Sequence, residues 1–152
     1  MRGVPIVFVA LWLGAMGFFA FAVAPAAFTT LERDAAGRFV SVVFPRYYLT
    51  GILLGLLALA GLVARVLLRG GRKWDWLPLA LVAIMLALTL YARVAVLPAA
   101  EAARAAMRQA GGGPGSAESL GFARLHRISG ALNVVVMAAG VAFLAVEVMR
   151  RR

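Results

Sequence analysis

The sequence predicts an all-α polytopic membrane protein, a four-helix transmembrane bundle with helical extensions outside the lipid. Three observations carry that prediction. Hydrophobic residues make up 64% of the 152 positions and charged residues 14%, whereas soluble domains are about 45–50% apolar and about 25% charged. Four stretches carry no charge: Gly3 to Leu31, Tyr47 to Ala64, Trp76 to Ala92 and Ile128 to Val146. Each is near or above the about 20 residues a spanning helix needs, once flanking arginines snorkel. The runs are continuous rather than alternating, which fits helices and not barrel strands. This composition excludes a soluble enzyme, a disordered chain and a disulfide scaffold. With no cysteine and one histidine, it also excludes thiolate metal sites, cysteine nucleophiles and the usual metal-spacing motifs.

The whole chain, 1–152, reads as one four-span domain, with spans over about residues 4–28, 45–68, 75–98 and 120–148. The first apolar run exceeds the about 7–15 residues of a secretory-signal core, so it is read as a span. Pro25 stands near its end. Thr29 and Glu32 have capping-box spacing, which predicts an interfacial helix over about 30–44, where Glu32, Arg33, Asp34 and Arg38 mix with Phe39, Val40, Val43 and Phe44. Pro45 is expected to kink the chain or to start span two. Arg69 to Lys73 forms a basic turn, and Asp75 is placed to cap span three.

Beyond span three, the alanine-rich stretch from Ala99 to Ala110 should continue as a helix outside the lipid. Glu101 and Arg104 have the spacing of an attractive surface pair there, worth about 0.2–0.5 kcal/mol. Gly111 to Gly115 ends that helix, and Ser116 caps the next, with Glu118 in its first turn. Span four is longer than the membrane needs, so its first turns should pair with the extension of span three. Ala99, Ala102, Ala103 and Ala106 would allow close packing in that arm. The sequence shows no convincing internal repeat.

The formal net charge is +10, from 16 basic and six acidic residues. Eight basic residues fall on the side of the two termini and eight on the other. The first set sits in short tight flanks, and the second is spread through longer connections with four acids. Basic residues in short flanks mark the cytoplasmic side. Both termini are therefore expected in the cytoplasm. The excess of arginine reads as membrane rim, with lipids as partner and no nucleic acid.

Three stretches carry a family resemblance. They are Phe18-Phe19-Ala20-Phe21-Ala22-Val23-Ala24-Pro25-Ala26-Ala27-Phe28, then Ala36-Gly37 leading to Phe44-Pro45-Arg46-Tyr47-Tyr48, then Leu125-His126-Arg127-Ile128-Ser129-Gly130-Ala131-Leu132-Asn133. With the four-span plan, they resemble the bacterial domain-of-unknown-function 4149 family, which is similar to eukaryotic transmembrane protein 205. The resemblance implies a four-helix protein of the bacterial inner membrane with no agreed activity. A more distant likeness is to copper-resistance D-type and haem-pathway four-helix membrane proteins. Those rely on histidines that this chain largely lacks.

Candidate site residues cluster at the span ends opposite the termini. His126, Ser129 and Asn133 form a polar stripe entering span four, which should face the bundle. Arg46, Tyr47 and Tyr48 begin span two, and Arg93 ends span three, on the same side. Facing inward, they would make one basic pocket, with Glu32 or Glu101 as neutralising acids. Arginine suits a phosphate or carboxylate, so the expected ligand is anionic or amphiphilic. Ordinary interface anchoring and interhelical hydrogen bonding are the simpler readings of the same residues. Gly51 and Gly55 form a GxxxG helix-packing motif.

Glu147 is expected to pair with Arg151 at the rim. Met16, Met85 and Met137 fill the core, with Cu(I) binding the alternative. No catalytic group, metal site or cofactor is expected, and the chain is not expected to be an enzyme. Haem, held by His126, is a third alternative. The functional readings are therefore a ligand-binding membrane protein or an accessory subunit of a larger membrane complex. A membrane-protein partner or a second copy of the chain could join the lipids as partner.

Overall fold

The computed structural model describes residues 3–69, 73–109 and 115–150. Four long helices account for almost all of them: α1 (Val4–Thr30), α2 (Arg33–Arg69), α3 (Trp76–Gln109) and α4 (Ala117–Met149). Each contains a stretch long and apolar enough to cross a membrane. The protein is an integral membrane four-helix bundle, as its composition implies. Phe21, Leu67, Val94 and Val134 stand two-thirds or more exposed on its outside. In water that surface would be a liability, but against lipid tails it is the outer face such a bundle requires.

The helices run up, down, up, down. α1 and α3 each pack against both α2 and α4, closing a ring. Between them lies a core of Val9, Trp12, Met16, Ala58, Leu62, Val82, Met85, Val136 and Phe143. Met137 packs against its edge. Lipid tails are as apolar as these side chains, so close packing rather than exclusion of water holds the helices together. Gly51 and Gly55 serve that packing inside the bundle. A Cβ on Gly51 would lie 2.5 Å from Trp12 Nε1, and one on Gly55 would lie 2.7 Å from Trp12 Cζ3. The two glycines form the slot that receives the indole.

Several boundaries differ from the sequence-based expectation. Thr29 does not cap a new helix. Its hydroxyl donates back to the carbonyls of Pro25 and Ala26, on the last turn of α1. The break falls at Leu31, whose backbone is extended, and α2 starts at Arg33. No separate interfacial helix over 30–44 forms. Those residues are mostly the first turns of α2, which passes through Pro45 unbroken, because a packed neighbour can tolerate one missing helix bond. Ser116 does cap α4, accepting from the Ser119 N–H at 3.2 Å. In the arm, Ala100, Ala103, Arg104 and Met107 turn inward while Ala99, Ala102 and Ala106 stay exposed. The glycine-rich residues 111–114 lie outside the described residues.

α1 and α3 are built alike. Pro5 and Pro25 are 20 residues apart, as are Pro78 and Pro98. Just before the second proline of each pair the helix widens into a π turn, Phe19–Val23 in α1 and Ala92–Val96 in α3. A proline clashes with the carbonyl four residues earlier, here Phe21 or Val94, and a π turn absorbs that clash. The buried residues match in register as well: Val9, Trp12 and Met16 correspond to Val82, Met85 and Thr89. This corrects the reading that the sequence holds no repeat. The correspondence rests on a few constrained positions, and lipid-facing positions between them are free to differ.

Candidate functional site

Away from the termini, the bundle is not filled. A cavity of about 570 Å³ opens between all four helices, within the range of about 300–1,000 Å³ for ligand sites. Its walls include residues flanking both π turns, Phe19 and Ala24 on α1 and Val96 and Leu97 on α3. An aromatic cluster forms one side. Phe19 lies 5.2 Å from Phe44 and 5.0 Å from Tyr47, ring centre to ring centre, and Phe44 stacks on Tyr48 at 5.9 Å.

Behind these rings a polar ladder ties α2 to α4. The Tyr47 hydroxyl donates to Asn133 Oδ1 at 2.8 Å, and Asn133 Nδ2 donates to the Ser129 carbonyl at 3.0 Å. Tyr48 and Ser129 share a hydrogen bond at 3.0 Å between their hydroxyls. Four of the candidate residues thus meet, and their donors and acceptors largely satisfy each other. Tyr48 and Ser129 also line the cavity. His126 lines it too, exposed and stacked on Phe122, and its imidazole makes no hydrogen bond among the described residues.

The arginines differ from those proposed on sequence. Neither Arg46 nor Arg93 lines the cavity. Arg46 lies on the outer face of α2, donating to its own Val42 carbonyl at 2.9 Å. At about 100° per residue, turning Phe44, Tyr47 and Tyr48 inward forces Arg46 out. Arg93 stands half-exposed on the π turn, while Ala92 and Val96 take the buried positions. The arginine within the cavity wall is Arg104. It forms no ion pair with Glu101 among the described residues. Its NH1 donates to Ser41 Oγ at 2.8 Å and to the Gly37 carbonyl. Glu101 and Asp34 border the cavity from exposed positions, and Arg33 does the same. Glu32 does not line it.

Sequence spacing held a signal for Arg104. Ala100, Arg104 and Met107 recur at helical intervals, as do Gly37 and Ser41 opposite, but an i,i+3 acid drew the arginine outward on paper. Gly37 is required for the contact, because a Cβ there would overlap the guanidinium. Gly37→Ala is expected to dislodge Arg104 while changing stability by less than about 1 kcal/mol, since the displaced atoms end a flexible side chain. Thermal melting together with chemical-shift change at Ser41 would check both halves.

A second charged cluster closes the other end of the bundle. Arg65, Asp75 and Glu147 are only 4–6% exposed. Arg65 grips Glu147 with two hydrogen bonds, at 2.8 and 2.9 Å, and its Nε lies 3.9 Å from Asp75. Arg150 contacts Asp75, and reaches Glu147 at 3.3 Å. Arg65 therefore does not snorkel at the rim. Asp75 occupies the cap position of α3 without a side-chain cap bond, its carboxylate serving the cluster. Glu147 pairs with α2 rather than only along its own helix. Arg151, its expected partner, lies outside the described residues.

A family profile described as a domain of unknown function, DUF4149, matches residues 7–109. The chain belongs to the DUF4149 family. That match spans α1, α2 and α3 of this DUF4149 protein and takes in two of the three stretches that carried the resemblance. It includes Gly37, Ser41, Tyr48 and Arg104, and stops before the α4 residues His126, Ser129, Asn133 and Glu147. No curated protein and no solved structure matches the chain.

Proposed function

We propose that this membrane protein binds an amphiphile in the cavity at the end of the bundle remote from the termini, its chain among the aromatic rings and its polar end toward Arg104 and His126. One observation supports this most: a half-buried guanidinium that forms no salt bridge among the described residues sits in the wall of a ligand-sized space between the four helices. The role is binding or handing on of the ligand rather than catalysis. The site faces the extracytoplasmic side of a bacterial inner membrane, with both termini cytoplasmic, in line with the basic residues of the short flanks. Lipids or lipid-derived molecules are then the natural partners.

A long-chain probe with a photoactivatable group tests the reading. It should label peptides carrying Phe19, Phe44 and Val96, and Ala100→Trp, which fills the cavity from the arm, should reduce that labelling about tenfold or more. Equal labelling of the outward-facing Phe21, Val94 and Val134 would show ordinary surrounding lipid and end the proposal. Copurification of a stoichiometric membrane protein, with no labelling of the cavity, would favour the accessory-subunit alternative.

A further inference from the structure

We infer that the cavity selects an amphiphile with a single chain and a single negative charge, a carboxylate or a phosphodiester, and that Arg104 reads the charge. This rests on the proposed binding role and adds the class of ligand. Size decides the number of chains. At about 30 Å³ for each water-sized group, a cavity of about 570 Å³ holds about 19 such groups. One chain of ordinary membrane length with a small head fits that count. A second chain of that length would have to lie outside this space, against the outer faces of the helices.

Charge decides the head. Arg104 is fixed through NH1 to two neutral oxygens, the Gly37 carbonyl and Ser41 Oγ. Its Nε and NH2 make no hydrogen bond among the described residues, and it has no ion pair there. Its NH2 packs over the Gly37 backbone, where a Cβ would overlap it, so the N–H groups turned away from α2 are the donors left for a carboxylate or phosphodiester oxygen. Asp34 and Glu101 limit the charge. Both border the cavity from exposed positions and would repel a head carrying several negative charges. Arg33, exposed at the same rim, offsets part of that field. The chain of the ligand points away from these groups, toward Phe19 and Phe44 beside the π turns.

The test is competition against the photoactivatable probe, with the full chain in non-ionic detergent and four competitors: hexadecanoate, a single-chain lysophosphatidylglycerol, hexadecanol and a diacyl phosphatidylglycerol. Either single-chain anion should displace the probe at about tenfold lower concentration than hexadecanol or the diacyl lipid, the gain of one charge-assisted contact. The better of the two anions identifies whether the source is a fatty acid or a single-chain phosphodiester. Arg104→Gln should abolish the preference over hexadecanol. Gly37→Ala, which keeps the charge but moves it, should reduce the preference as well and serves if Arg104→Gln does not fold. Arg46→Gln, on the outer face of α2 and away from the cavity wall, should leave it within about twofold. Equal competition by hexadecanol or by the diacyl lipid, or a preference that survives both Arg104→Gln and Gly37→Ala, would overturn the inference and leave the binding role standing. Absence of cavity labelling by the probe itself would remove the binding role.

Discussion

Glu147→Leu should destabilise the bundle by about 3–5 kcal/mol, the loss expected when a buried ion pair is broken from one side. The substitution leaves Arg65, 6% exposed, with only the distant edge of Asp75 to balance its charge. Two of its nitrogens would lose the carboxylate oxygens at 2.8 and 2.9 Å. A companion substitution separates charge from packing. Arg65→Met combined with Glu147→Leu removes the pair together, leaves Asp75 with Arg150, and should recover most of the loss. A double-mutant cycle on thermal or denaturant unfolding in detergent gives the coupling directly. If the single and double variants melted together, the pair would contribute nothing and the cluster would be ordinary rim charge.

Trp12→Ala is the second large effect, with about 3 kcal/mol or more expected from core truncation of an aromatic. The indole is 2% exposed and fills the slot left by Gly51 and Gly55 on α2. In lipid the transfer contribution shrinks, because an unpacked span remains in an apolar medium. What persists is the void over Gly51 and Gly55, which Leu86 Cδ1 borders beside Gly55. A bulky residue at Gly55 together with Trp12→Ala should therefore regain part of the loss. Melting of the single and paired variants would check this, and unchanged melting of Trp12→Ala would place the indole outside the packing core.

The spans were legible because a bilayer imposes a length and a polarity on every crossing segment. Charge-free runs such as Tyr47 to Ala64 have no other common explanation. The inward turn of Tyr48, Ser129 and Asn133 was legible too, since polar groups entering a span seek one another. What escaped was direction around the helix axis. Arg46 and Arg104 look equivalent in the sequence, each beside a span end, yet one lies outside and the other within the cavity wall. Arg46 is turned out by the inward rings of Phe44, Tyr47 and Tyr48, and Arg104 is held by Gly37 and Ser41, which are remote from it in sequence. Arg65 escaped for a related reason. Its partner Glu147 is 82 residues away, and an arginine near a span end reads as a headgroup anchor until the opposing carboxylate is known.

The buried cluster at the termini end also bears on the order in which the protein is made. Its four side chains balance as two positive and two negative charges. Arg65 and Asp75 stand at the two sides of the connection between α2 and α3, whereas Glu147 and Arg150 come last, one turn apart on α4. In the finished bundle Arg65 reaches both Glu147 and Asp75, and Arg150 reaches the same two acids. The carboxylate that Arg65 grips with two hydrogen bonds is thus synthesised only with the last helix, so the buried network is completed when α4 docks.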